Sequence, residues 1–254
     1  MKILKNPIFR NYTSLTVNHG THILINLLFI PLFLTFWNLE TYADWILIST
    51  IPALLAFGEF GLASYGLNLI VILFKQNKKN KANYTLQNVI YFSTAIIFSL
   101  GLVLIMLNYI FDLESTFNIN STKKNEFYLI IIFIVFKYSL LTNSNFVNGL
   151  FRINNRYHLS VYLQTFFLST EIVLIAITLA SGGKILEVSF VGFINYVVAF
   201  VASCYLIKKE FIWLQIINFK NINLLFIKKI FYPSISFMTG NLCKAILSME
   251  QLLF

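Results

Sequence analysis

The chain has 254 residues, a formal net charge of +9, 58% hydrophobic residues and only 11% charged ones, with a mean hydropathy of +0.76. Soluble domains carry about twice that share of charge, so this composition excludes an ordinary water-soluble enzyme or binding module. The basic excess suggests nucleic acid at first sight, but it is distributed along the chain as a membrane-topology signal, and no DNA- or RNA-binding motif accompanies it.

Runs of about 20 apolar residues read as transmembrane helices, because hydrocarbon offers an unpaired backbone nothing to bond to. Six such spans are predicted, near 15–37, 45–74, 88–111, 127–149, 161–181 and 186–207, and an incomplete seventh begins near 230. The first is longer than a signal-peptide core and lacks a small-residue cleavage site, so it is kept as a span. It places Asn18, Thr21, His22 and Asn26 on one helical face, and Pro31 predicts a kink. His19 and His22 read first as interhelical hydrogen-bonding residues. The second span contains Pro52, a further predicted kink, and then Gly58, Glu59, Gly61 and Gly66. These glycines serve close packing or a hinge, with Pro31, Gly58 and Gly61 the hinge candidates. Glu59 lies toward the cytoplasmic half, where it snorkels or pairs with a basic loop.

The fourth span aligns Lys137, Ser144, Asn145 and Asn148 on one face. The fifth repeats Gln164, Glu171 and Thr178 every seven residues, and the seventh aligns Asn241, Lys244, Ser248 and Gln251, with Glu250 nearby. A charge at the bilayer centre costs roughly 2.5–3.5 kcal/mol on insertion scales, so Lys137, Glu171 and Lys244 require partners or water. Four helices with one polar stripe each predict a bundle around a hydrated cavity. Taken alone, the Asn, Ser and Thr positions read first as interhelical hydrogen bonding; Lys137, Glu171 and Lys244 shift the balance to a cavity, and Lys137–Glu171 also reads as a purely structural ion pair. Residues 208–229, mixed aromatic and polar with lysines at both ends, predict a helix lying in the interface or an extension of the sixth span.

Lys2, Lys5, Arg10, Lys75, Lys78, Lys79, Lys81, Arg152, Arg156, Lys208, Lys209, Lys220, Lys228 and Lys229, fourteen of the 19 basic residues, fall on one side of these spans. The other side carries Lys123, Lys124 and Lys184 among Glu40, Asp44, Asp112, Glu114, Glu126 and Glu187. The positive-inside rule then puts the N-terminus in the cytoplasm, with a basic surface suited to anionic lipid headgroups. Loops on the opposite side are short, leaving no room for a separate domain. Cys204 and Cys243 form no CxxC pair, and the phosphate-loop, HExxH and GxSxG patterns are missing, so no metal, cofactor or soluble-enzyme chemistry is expected.

The stretch from Trp37 to Leu73 resembles the first two helices of polysaccharide flippases of the O-antigen and capsule type. The matching positions are Tyr42, Trp45 and Glu59-Phe60-Gly61-Leu62, with Glu59 where that family commonly has Asp. Arg152, Arg156 and Tyr157 after the fourth span, and Lys229 to Pro233 before the seventh, extend the resemblance. It implies membership of the multidrug/oligosaccharidyl-lipid/polysaccharide exporter superfamily, whose members face two six-helix bundles across a central cavity. The expected fold is then all-α: a polytopic helical membrane protein with one six-helix bundle (1–207), a cytoplasmic connector (208–229) and the start of a second bundle (230–254). The resemblance implies translocation of a lipid-linked oligosaccharide of the undecaprenyl-diphosphate type across the bacterial inner membrane, alongside a polysaccharide polymerase and glycosyltransferases. Lys137 and Lys244 are the expected cavity cations, Glu171 their modulator, and Asn18, His22, Asn145 and Asn148 further cavity residues. Arg152 and Arg156 are placed at the cytoplasmic mouth. A cation-coupled multidrug exporter of the same superfamily and a membrane-embedded glycan polymerase or transferase are the alternative readings. The uncapped ending Gln251-Leu252-Leu253-Phe254 raises the expectation of a truncated frame.

Overall fold

The computed structural model describes residues 7–58, 61–216, 222–226, 228–236 and 239. Among these the chain is helical with no strand. The elements are α1 (Pro7–Phe36), α2 (Leu39–Ile48), α3 (Ile51–Gly58), α4 (Leu62–Lys75), α5 (Lys79–Phe111), α6 (Leu113–Thr116), α7 (Lys124–Gly149), α8 (Tyr157–Ala180) and α9 (Ile185–Glu210). A 3₁₀ segment, Leu150–Asn154, continues α7 toward α8. Five of these helices are long and apolar enough to cross a bilayer: α1, α5, α7 with its 3₁₀ extension, α8 and α9. The protein is therefore a polytopic helical membrane protein.

The second predicted span is not one helix but three. Pro52 has no N–H to offer the carbonyl four residues back, and its ring clashes there, so α2 ends and α3 restarts around Ser49-Thr50. In a bilayer the carbonyls freed at such a break need other donors. Thr50 N bonds Leu47 O (3.1 Å) instead of Ile46 O, and the Ser49 hydroxyl donates to Ile46 O in its place (2.8 Å). The Thr50 hydroxyl adds a second bond to Leu47 O at 2.7 Å. The next break ends α3 at Gly58 and restarts the helix after Gly61, whose φ of 70° is left-handed and suits a residue without a Cβ. Glu59 lies outside the described residues. By contrast α1 runs without a break through Pro31, whose carbonyl accepts the Thr35 hydroxyl at 2.7 Å. Of the three hinge candidates, the two glycines flank a break in the helix and the proline does not.

The bundle has an acidic end and a basic end, each held by contacts between segments distant in sequence. At the acidic end buried Asp44 accepts from the backbone N–H groups of Asn120 (3.1 Å) and Ser121 (2.9 Å), while the Trp37 indole donates to Gly183 O at 2.9 Å. Phe33 packs there against Trp37, Tyr42 and Trp45, an aromatic layer of the kind found at membrane interfaces. Burial pushes the Glu114 carboxyl above the usual carboxylate range, against a 3.3 Å hydrogen bond from Thr122 that lowers it.

At the basic end the segment after α9 departs from expectation. Residues 211–216 are not helical: they cross the end of the bundle as an irregular strap. Phe211, Leu214 and Ile216 are buried in the core cluster that contains Leu67, Leu86 and Val147. Trp213 stacks on Phe74 at 5.4 Å. Polar residues in the first turns of α5 tie the strap down. Asn83 Oδ1 accepts Gln215 N (3.0 Å), Gln87 donates to Gln215 O (2.8 Å), and Asn88 Oδ1 accepts Asn223 N (2.9 Å). These anchors also explain why α5 begins at Lys79, well before the apolar run near 88. Residues 228–236 are again helical, and the remainder of the predicted seventh span, with Asn241, Cys243, Lys244 and Glu250, lies outside the described residues.

α7 is the central post, packing against α9, α5, α8, α3 and α4, whereas α1 leans mainly on α8. Close approach depends on small residues. A Cβ at Gly66 in α4 would meet Val89 of α5 at 2.6 Å, whereas one at Gly20 in α1 would meet nothing within 4 Å. Gly66→Ala is expected to lower stability by about 1–3 kcal/mol through overpacking. Gly20→Ala should raise it by about 0.5–1 kcal/mol. Thermal unfolding of the two variants in detergent checks both signs.

Candidate polar cavity and its ion pair

Lys137 occupies the midpoint of α7, about 20 Å from either end of that helix at 1.5 Å per residue. Its ammonium forms an ion pair with Glu171 of α8, whose side chain is 9% exposed against 24% for the lysine. Two residues of α9 complete the arrangement. The Lys137 Nζ lies 5.8 Å from the centroid of the Tyr196 ring, within cation–π range, and the Tyr196 hydroxyl donates to the Glu171 carboxylate. One turn earlier, Gly192 leaves the space the pair occupies: a Cβ there would come within 3.3 Å of Lys137 Nζ and 3.4 Å of Glu171 Oε1. One charged pair thereby joins three helices at mid-depth.

Immediately on the basic-end side of this pair lies a cavity of about 230 Å³ between α1, α7, α8 and α9. Its polar lining comes from Asn18 and His22, from Ser144, Asn145 and Asn148, and from Gln164, with Tyr196 closing it toward the ion pair. Asn18 reaches α8 through a 2.8 Å hydrogen bond from its amide to the Thr165 hydroxyl. Ser144 and Asn148 are 3% and 1% exposed, yet the Ser144 hydroxyl and the Asn148 carbonyl oxygen have no partner among the described residues. Buried polar atoms are nearly always hydrogen-bonded, so these two stand out in the cavity wall as unused hydrogen-bonding capacity.

Four residues singled out in the sequence, Asn18, His22, Asn145 and Asn148, are thus brought to one cavity. Lys137 and Glu171 do not line it: they cap it on the acidic side and neutralise one another, and no Lys or Arg is among its described lining residues. Arg152 and Arg156 sit at the basic end, beyond the cavity. The Arg152 guanidinium stacks on Tyr157 at 4.4 Å, and Arg156 pairs with Glu210 at 3.3 Å, an acid also bound by Asn154 at 2.8 Å. Tyr196 and Gly192 were not recognised from the sequence. Their signal is a stripe of small and polar residues on the sixth span, Gly192, Asn195, Tyr196, Ala199 and Ser203, overlooked because it carries no charge.

No family model matches the chain, and neither a curated protein nor a solved structure does.

Removing one partner of the ion pair strands the other charge in a low-dielectric interior, at a cost of about 3–5 kcal/mol, whereas removing both is nearly neutral. Glu171→Gln alone is accordingly expected to lower the unfolding temperature sharply. The double variant Lys137→Met/Glu171→Leu should recover most of the loss in the same detergent unfolding assay.

Proposed function

We propose that this chain serves as a flippase for lipid-linked oligosaccharide of the undecaprenyl-diphosphate type, working in cell-surface polysaccharide biosynthesis beside glycosyltransferases and a polymerase. The observation that carries this reading is the uncharged polar cavity, with the Ser144 hydroxyl and the Asn148 carbonyl oxygen buried and without a partner among the described residues. Amides, hydroxyls and an imidazole with spare hydrogen-bonding capacity suit a hydroxyl-rich sugar, which loses its hydration shell only where equivalent partners replace it. Lys137 is engaged by Glu171, so the diphosphate falls instead to the basic end, where Arg152 is exposed and has no acid paired with it among the described residues, and where exposed Arg156 shares its charge with Glu210. The bundle then divides the ligand by chemistry: sugar in the cavity, diphosphate at the mouth, lipid tail in the bilayer. Glu171 is the deep acid among the described residues, and its pairing leaves no free deep carboxylate among them for a coupling cation, which weighs against the multidrug-exporter reading.

On this reading the membrane is the bacterial inner membrane, with the N-terminus and the basic end cytoplasmic. The charge asymmetry between the two ends supports the orientation. In a background lacking Cys204 and Cys243, Asn120→Cys should react with an impermeant maleimide added to intact spheroplasts. Asn80→Cys should react only after permeabilisation, and the reverse pattern would invert the topology.

Translocation is tested in proteoliposomes with a fluorescent undecaprenyl-diphosphate oligosaccharide. Ser144→Val and Asn148→Leu each remove a polar contact worth about 1–3 kcal/mol, so transport is expected to fall roughly tenfold or more. Val173→Ala, on the exposed face of α8, should leave it unchanged. Wild-type rates in both cavity variants would defeat the sugar-cavity assignment.

A further inference from the structure

A second and larger cavity, of about 470 Å³, lies on another flank of α7. It is a groove between α5 and α9, which have scarcely a contact with one another, so α7 forms its floor. Its walls are mostly apolar: Ile90, Ala95 and Phe98 from α5, Phe136 and Leu140 from α7, and Phe200 from α9. Ile216 of the strap and, farther along the chain, Ile222 line it at the basic end.

Three observations identify an occupant. The first is polarity. Asn143, on the floor, donates to the Thr94 hydroxyl (2.9 Å) and to Ser139 O (2.9 Å), and accepts from the Ser93 hydroxyl (3.3 Å). The groove therefore differs from the polar cavity, where the Ser144 hydroxyl and the Asn148 carbonyl oxygen have no partner among the described residues, and it favours hydrocarbon over a hydroxylated ligand. The second is depth. Gln87 to Phe98 covers about 16 Å of helix at 1.5 Å per residue, roughly half of the ~30 Å hydrocarbon core, so the groove spans a single leaflet. The third is charge. The strap end of that leaflet displays exposed Lys78, Lys79, Lys81, Lys208, Lys209, Lys228 and Lys229, a surface that attracts anionic headgroups.

We propose that this groove is a lipid site: it seats an acyl chain of an anionic phospholipid from the leaflet at the basic end, with the headgroup against the lysines around the strap. The site is separate from the sugar cavity and independent of which substrate is moved. The bound chain fills the gap between α5 and α9 and covers the apolar side of α7 that neither helix reaches. Ile216 sets the strap beside the headgroup end of the seated chain.

The full chain, purified from nanodiscs containing phosphatidylglycerol and phosphatidylethanolamine, is examined by native mass spectrometry. One retained phosphatidylglycerol per chain is expected, in preference to phosphatidylethanolamine. Ala95→Trp places an indole in the groove and should lower that occupancy at least tenfold, whereas Val173→Trp on α8 should not. Replacing Lys208, Lys209, Lys228 and Lys229 by Gln should abolish the headgroup preference while leaving a lipid bound. A phosphatidylglycerol carrying a diazirine in its acyl chain, used with the unmodified chain, should label residues 90–98 and 136–143, which avoids dependence on any variant's folding. Equal retention of the two lipids by the unmodified chain, unchanged occupancy in Ala95→Trp, labelling elsewhere, or a dimer that replaces the bound lipid would each overturn the proposal. Asn148→Leu should retain the lipid, so loss of sugar transport and loss of this site are read separately.

Discussion

A lysine at the centre of a bilayer stays charged only beside a counter-charge or water, and the arrangement around Lys137 follows from that constraint. Its partner Glu171 comes from the next helix, the Tyr196 ring and hydroxyl satisfy what the pair leaves over, and Gly192 provides the room. Because the four residues lie on three helices, the pair sets the relative height of α7, α8 and α9. The polar cavity begins one turn away on those same faces. Its lining from Ser144, Asn148 and Gln164 owes its alignment to the helix register that the ion pair holds. Tyr196 belongs to both structures, so electrostatic support and cavity wall are mechanically continuous.

The same solvent constraint governs the second crossing. A proline and a left-handed glycine divide it into α2, α3 and α4, and the break at Ser49-Thr50 is tolerable in hydrocarbon because two hydroxyls take over carbonyls that the helix has released. Short helices joined by such breaks move relative to one another more readily than one continuous rod. α1, by comparison, keeps its helix through Pro31 and leaves much of its surface, including His19 and His22, uncovered by the described residues.

α7 separates two cavities of opposite character. On one flank the Ser144 hydroxyl and the Asn148 carbonyl oxygen are buried without a partner among the described residues. On the other, the amide of Asn143 is used up locally by Ser93, Thr94 and Ser139, and the remaining wall is largely apolar. Neighbouring positions on one helix, Asn143 beside Ser144, thus serve different environments because consecutive residues point about 100° apart. The strap after α9 closes the end of the apolar groove and simultaneously plugs the basic end of the core.

The sequence by itself determined that this is a helical membrane protein, where most of its spans lie, and which charges share an end. Those properties follow from local composition and helical period, which each segment carries alone. It also marked Asn18, His22, Asn145 and Asn148, since a polar stripe on an apolar helix is visible in one dimension. The tertiary structure alone decided that Lys137 and Glu171 seal the cavity instead of lining it, because pairing depends on the register between helices. It likewise decided the role of Gly192, whose missing side chain matters only when two charged residues from elsewhere fill the space. The strap was hidden for the same reason. Its aromatic and polar mixture fits an interfacial helix when read alone, and only its burial in the core and the hydrogen bonds of Gln215 with Asn83 and Gln87 hold it as an irregular segment across the bundle.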